Sequence, residues 1–304
     1  MSKALVEHVA TFIAGAGGPK LTVEVVRAAA PAGAVVWLEQ GVAADVFFPL
    51  APDALPERRL SLQAAAREAG VDVIVQPKAG RRKRLLVADM DSTMIGQECV
   101  DELAEFAGIR ERIAKITERA MRGELEFEPA LRERVVLLAG LPVTIIETIL
   151  AERISFTPGA RRLIATMRAN GAYAALVSGG FTLFAERIAA SLGFDEARAN
   201  RLETREGRIT GVVLPPIAGA AAKREALEEL RVRLALPAEA TLAVGDGAND
   251  LDMLAAAGLG VAYHAKPKVA EAAAARVDHA DLSALLFAQG YRREDFVEAD
   301  IREG

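Results

Sequence analysis

Asp89 and Asp91, with one residue between them, follow a short apolar run and precede Ser92 and Thr93. A third carboxylate, Asp246, stands in Gly245-Asp246-Gly247-Ala248-Asn249-Asp250, and Ser178-Gly179-Gly180 follows another apolar run. Carboxylates gathered at one point repel each other unless a cation sits among them. These motifs offer oxygen ligands and no His or Cys, a donor set that suits a hard cation such as Mg²⁺. A metal-neutralised aspartate with a free oxygen can attack phosphorus and divide a hydrolysis into two easier steps. Asp91 could protonate the leaving alkoxide and then deprotonate the attacking water. Ser178 and the backbone N–H groups of Gly179 and Gly180 can hold phosphate oxygens where a helix begins. The remaining phosphoryl charge calls for a lysine, and Lys223 opens an amphipathic segment over 223–227.

Those groups can meet only if the fold gathers them. The runs 85–88, 174–177 and 242–244 are short and wholly apolar, as parallel strands covered on both faces are. Helical spacing separates them, which predicts an α/β class with a doubly wound, Rossmann-like parallel sheet. Each run ends at one of the polar clusters, and ligands bind outside the carboxyl ends of such strands. The stretch 98–157 is too long for a plain crossover, whose loops are usually ~2–6 residues. It is expected to form a small helical cap inserted over the site. The tract 270–275, rich in alanine, reads as an ordinary helix.

Ahead of this, 5–77 reads as β-α-β-β-α-β, with strands at 6–14, 35–38, 46–50 and 71–75 and helices at 20–30 and 58–69. That order is the ferredoxin-like split arrangement. It resembles a regulatory ACT-type domain by element order alone, which suggests dimerisation or serine binding. We therefore expect two domains, 1–80 and 81–304, with Trp37 in the core of the first. The basic run Arg81-Arg82-Lys83-Arg84 reads as a solvated linker, with a docking patch as the other reading.

Composition narrows the function. A chain of 304 residues that is 52% hydrophobic can bury a sizeable core. It has no uninterrupted apolar stretch of membrane-spanning length. Its N-terminal stretch lacks the basic region and cleavage site of a signal peptide. The net charge of −5 argues against a nucleic-acid partner. A single cysteine, Cys99, forms no internal disulfide, fits a reducing cytoplasm, and reads as a small buried hydrophobe. His8, His264 and His279 are scattered and carry no catalytic expectation.

Asp89-x-Asp91-Ser-Thr, Ser178-Gly-Gly, Lys223 and Gly245-Asp246-Gly-x-Asn249-Asp250 resemble, in order, the four motifs of the haloacid dehalogenase-like phosphohydrolases, over about 85–285. A narrower resemblance, to the phosphoserine-phosphatase branch of that family, rests on 89–95, Glu98, 121–127 and 131–135. The resemblance implies Asp89 as nucleophile and Asp91 as general acid/base. It implies Mg²⁺ held by Asp89, Asp246 and the Asp91 carbonyl, with Glu98 and Arg134 on the substrate's ammonium and carboxylate and Phe127 closing over it. The implied activity is hydrolysis of O-phospho-L-serine, the last step of serine biosynthesis. The charges agree, because an arginine grips a carboxylate bidentately and a glutamate pairs with an ammonium. Two rivals stand beside this reading. One is an enzyme acting on another ester or passing the phosphoryl group to an acceptor such as homoserine. The other is a non-catalytic amino-acid sensor.

Overall fold

The computed structural model describes residues 4–15, 17–122 and 124–298; Gly123, within the segment that resembles the phosphatase branch, lies outside them. The chain begins with β1 (Val6–Ala14), α1 (Val23–Ala29), β2 (Val35–Glu39), β3 (Ala43–Leu50), α2 (Leu55–Arg67) and β4 (Val71–Pro77). These strands form an antiparallel sheet in the order β2-β3-β1-β4. Side chains alternate across a strand. Ala10, Phe12, Val73 and Val75 accordingly point to one face, where they pack with Val26 of α1 and Leu62 of α2. Ile13 and Ile74 point to the other and join the larger core beside α12 (Ala284–Ala288). Trp37, expected in the core, is only half-buried and packs at its margin.

The second sheet is built from β5 (Leu85–Ala88), β6 (Tyr173–Phe181), β7 (Glu196–Arg205), β8 (Arg208–Leu214), β9 (Thr241–Gly245), β10 (Leu259–Tyr263) and β11 (Ala275–Val277). Its order is β11-β10-β9-β5-β6-β7-β8, parallel except for the β7–β8 hairpin. The central strands are covered on both faces. Leu86 and Ala88 join a cluster with α7 (Ala160–Ala169) and α8 (Thr182–Leu192). Leu85 and Val87 face α9 (Ala220–Arg233) and α10 (Leu251–Ala256). Between β5 and α7 run four helices, α3 (Cys99–Phe106), α4 (Arg110–Met121), α5 (Phe127–Val136) and α6 (Ile145–Glu152). Cys99 is fully buried at the start of the first. The alanine tract divides: α11 (Pro267–Ala272) ends before Ala275 starts β11, where pairing with β10 overrides a residue type with no strand preference of its own.

The basic run is solvated only in part: Arg82 and Arg84 are exposed, whereas Arg81 and Lys83 turn inward. The Arg81 guanidinium reaches Asp45 at 2.7 and 3.1 Å and also donates to the carbonyls of Phe287 and Ala288. Lys83 is buried, with Nζ donating to the carbonyls of Gly80 and Glu239. Gln76 Nε2 donates to the Ala288 carbonyl, and Asp72 accepts from the backbone N–H groups of Asp278, His279 and Ala280. The two sheets are thus stitched by buried polar contacts that a composition-based reading assigns to solvent.

Arg81 and Asp45 are 12% and 2% exposed, so removing either strands the other in a dry seam. Arg81→Ala and Asp45→Ala should each lower the unfolding free energy by about 3 kcal/mol. The double variant should lose clearly less than the sum. Urea denaturation of the three variants checks this, and strictly additive losses would show that the pair is not coupled.

Candidate active site

The sheet register brings the three polar clusters to one level. Ala88 lies opposite Leu176 on one side and Val244 on the other, so Asp89, Ser178 and Asp246 leave neighbouring strands close together. The Asp89 N–H donates to the Val244 carbonyl at 3.0 Å. The chain then winds into a tight loop in which the Met90 carbonyl accepts from the N–H groups of Thr93, Met94 and Ile95. Ser92 sits in the left-handed region, φ 54°, and its hydroxyl donates to Glu98 at 2.7 Å. This loop turns the chain from β5 into α3 and fixes Glu98 beside the strand ends.

Lys223, in the first turn of α9, is 2% exposed and lies 2.7 Å from Asp89 Oδ1 and 2.6 Å from Asp250 Oδ1. The Asp250 side chain folds over the end of β9. A Cβ at Gly245 would lie 2.3 Å from Asp250 Cγ, so only glycine admits that carboxylate. Asp250 Oδ2 accepts the Gly247 N–H at 3.0 Å. A Cβ at Gly180 would crowd the Ser178 hydroxyl at 3.1 Å and Asp91 Oδ2 at 3.3 Å. Ser178-Gly179-Gly180 itself lies within β6, where the register shifts, rather than directly at a helix start; α8 begins at Thr182. Ser178 Oγ accepts the Gly180 N–H at 2.9 Å, which leaves its own O–H free to donate.

Asp89, Asp246 and Asp250 present oxygens within 4.8 Å of one another. Crowding and burial show in their proton affinities. Burial, then the charge of Glu98, pushes Asp91 up to about 7. Burial, then Asp250, raises Asp246 to about 6, against a hydrogen bond from Thr93. Burial likewise raises Asp89, with Lys223 opposing. Burial disfavours the Lys223 ammonium, but Asp89 and Asp250 outweigh it and raise its pKa.

The carboxylates suit a hard divalent cation. Both oxygens of Asp250 are engaged, by Lys223 and by Gly247. Asp89 and Asp246 each have one oxygen that receives no hydrogen bond among the described residues, and both line the cavity beside them.

That cavity measures about 420 Å³ and is lined by Asp89, Asp91 and Asp246. Ser178, Gly179, Gly180 and Asn249 line its side, and Glu98, Phe127 and Arg134 come from the helical segment. Lys223 is the one expected residue outside the lining; it holds Asp89 from behind. Arg134 donates to the Ala130 carbonyl at 3.2 Å and is otherwise unpaired among the described residues. Burial lowers its pKa, with Asp101 and Glu98 opposing. The Phe127 ring bears on the glycine loops, since a Cβ at Gly179 or Gly219 would meet it at 3.5 or 3.3 Å.

Sequence reasoning passed over several participants. Thr93 Oγ1 donates to Asp246 at 3.1 Å. Buried Asn200 ties the Gly179 carbonyl to the backbone of Ala218. Lys266 also lines the cavity, in the loop after β10. Extending the strand-end rule to a fourth strand would have found Lys266. Asn200 left no signal, because its partners are backbone groups remote in sequence.

The family of haloacid dehalogenase-like hydrolases matches residues 86–255, and the chain belongs to it. Within that family the chain is 43% identical to the phosphoserine phosphatase SerB2 of Mycobacterium tuberculosis, over 82% of this chain and 61% of that one. The chain therefore spans about three fifths of that relative's length. The crystal structure of a probable phosphoserine phosphatase from Vibrio cholerae superposes with TM-score 0.76 at 32% identity, over 95% of this chain and 88% of that chain. A substrate-bound phosphoserine phosphatase complex superposes with TM-score 0.62 at 41% identity, over 68% of this chain and 98% of that one.

Replacing the ammonium by an apolar chain, Lys223→Met, leaves Asp89, Asp246 and Asp250 facing one another. Without divalent cation the variant should be less stable than the parent by about 3 kcal/mol at pH 7. Folded carboxylates with raised pKa bind protons more tightly than unfolded ones, so the deficit should shrink as pH falls from 7 towards 5. Thermal unfolding across that range checks it; a deficit independent of pH would mean the carboxylates do not set it.

Proposed function

We propose that the chain hydrolyses O-phospho-L-serine to L-serine and phosphate through a phosphoryl group carried on Asp89. The observation that carries this reading is one cavity lined both by the paired carboxylates Asp89 and Asp91 and by the opposite charges Glu98 and Arg134. The similarity to phosphoserine phosphatases supports it. Phosphoserine offers a phosphate, an ammonium and a carboxylate. Arg134 grips the carboxylate, Glu98 pairs with the ammonium, and Phe127 covers the bound molecule. Ser178, the Gly179 N–H and Asn249 take the phosphate oxygens, Gly180 lines the same wall, and Lys223 acts from behind Asp89.

Lys223 holds the Asp89 carboxylate in position to attack phosphorus. As the P–O bond to serine breaks, Asp91 gives its proton to the leaving oxygen, and a pKa near 7 suits that task. Water then attacks the aspartyl-phosphate. Asp91 takes its proton, and the Asp89 carboxylate is restored as phosphate departs. Mg²⁺ held by Asp89, Asp246 and the Asp91 carbonyl would supply charge neutralisation for the carboxylates and the phosphoryl group.

The same reading makes helices α3–α6 a cap over the site and 1–80 an ACT-like, ferredoxin-fold domain, with the strand order β2-β3-β1-β4 in its support. It makes the chain a cytoplasmic enzyme of serine biosynthesis and 1–80 a candidate homodimer surface and serine site. No described helix is long and apolar enough to cross a membrane.

The test is phosphate release from O-phospho-L-serine with Mg²⁺, beside glycolate, sugar and threonine phosphates. Phosphoserine should be preferred, and EDTA or Asp89→Asn should abolish turnover. Arg134→Ala should lower kcat/KM at least tenfold, the scale of a charge-assisted pair worth ~1.5–3 kcal/mol. Preference for an ester lacking the amino-acid moiety would overturn the substrate assignment. Turnover by Asp89→Asn would overturn the mechanism.

A further inference from the structure

A second cavity, of about 590 Å³, lies away from the phosphatase site, in the seam between α2 of the first sheet and helices α10 and α11 of the second. Arg59, Arg67 and Arg276 line it with Gln63, beside Leu60, Leu251, Leu254 and a run of alanines. Arg276 is engaged by Asp278. Arg59 differs. It is half-buried: its Nε is cut off from water and has no hydrogen-bond partner, no carboxylate pairs with it among the described residues, and burial pulls its pKa down. Arg67 likewise makes no ion pair among the described residues, and the lining holds one acid, the exposed Glu271.

A guanidinium N–H cut off from water without a partner is costly, and an anion in the cavity would complete it. We propose that this cavity binds a small organic anion. Its carboxylate, sulfonate or phosphate head lies on Arg59 and Arg67, and its apolar body lies against Leu60, Leu251 and Leu254.

The seat is placed to be felt elsewhere. α10 begins at Leu251, the residue after Asp250, and Asp250 is the carboxylate that holds Lys223. A ligand bridging α2 and α10 therefore braces the helix whose first turn follows the lysine clamp. The site stands independently of the substrate assigned to the phosphatase cavity.

The test uses the full chain and anilinonaphthalene sulfonate, an anion with an apolar body, titrated by its fluorescence. One molecule should bind per chain, and both Arg59→Met and Arg67→Gln should weaken binding at least tenfold while leaving phosphoserine turnover unchanged in the absence of dye. Arg59→Met should also unfold at a Tm equal to or above the parent's without dye, because it removes a buried N–H that has no partner. Unchanged dye affinity in either variant that folds, or binding abolished by phosphoserine rather than by the substitutions, would overturn the assignment.

Discussion

The buried ammonium of Lys223 between Asp89 and Asp250 is the interaction on which the rest of the site depends. An ammonium 2% exposed is tolerable only because two carboxylates lie within 2.7 Å, and those carboxylates are tolerable only because it is there. Each partner is fixed by a different part of the chain. Asp89 is placed by the register of β5, Asp250 by the glycine at the end of β9, and Lys223 by the first turn of α9. The clamp also sorts the acids. It occupies Asp250 and one oxygen of Asp89, and leaves Asp246 and the other face of Asp89 towards the cavity.

Around this fixed centre the helical segment supplies what the strands cannot. The loop 89–98 turns sharply enough to bring Glu98 back beside Asp91, and the Glu98 charge adds to burial in raising the Asp91 pKa to about 7. Arg134 and Phe127 come from α5 and meet the strand ends only through the cavity and the glycine loops. In the proposed reaction the strand ends carry the charges that face the phosphate, and the helical segment carries those that face the amino-acid end.

Much of this was legible in the residues. The apolar runs before Asp89, Ser178 and Gly245 announce strands buried on both faces, and strands of that kind deliver their following residues to one edge. The β-branched stretch over 6–14 is just as plain and became β1. What escaped notice depends on pairing across long sequence distances. The basic run 81–84 looks solvated until Asp45 and the carbonyls of Phe287 and Ala288 are seen against it. Asp250 was legible as an acid but not as the lysine's second partner, because spacing does not say which oxygen of which carboxylate is already taken. The alanines at 270–275 misled because alanine takes the structure its neighbours impose, and β10 imposes a strand on Ala275.

The central claim is that Asp89, held by Lys223, is the atom-bearing nucleophile. The most direct measurement is to quench the enzyme with acid during turnover of O-phospho-L-serine, reduce any acyl phosphate with borohydride and locate the reduced residue by peptide mass spectrometry. The account predicts reduction at Asp89 and nowhere else. Reduction at Asp246 or Asp250, or phosphate release with no reduced aspartate, would contradict it.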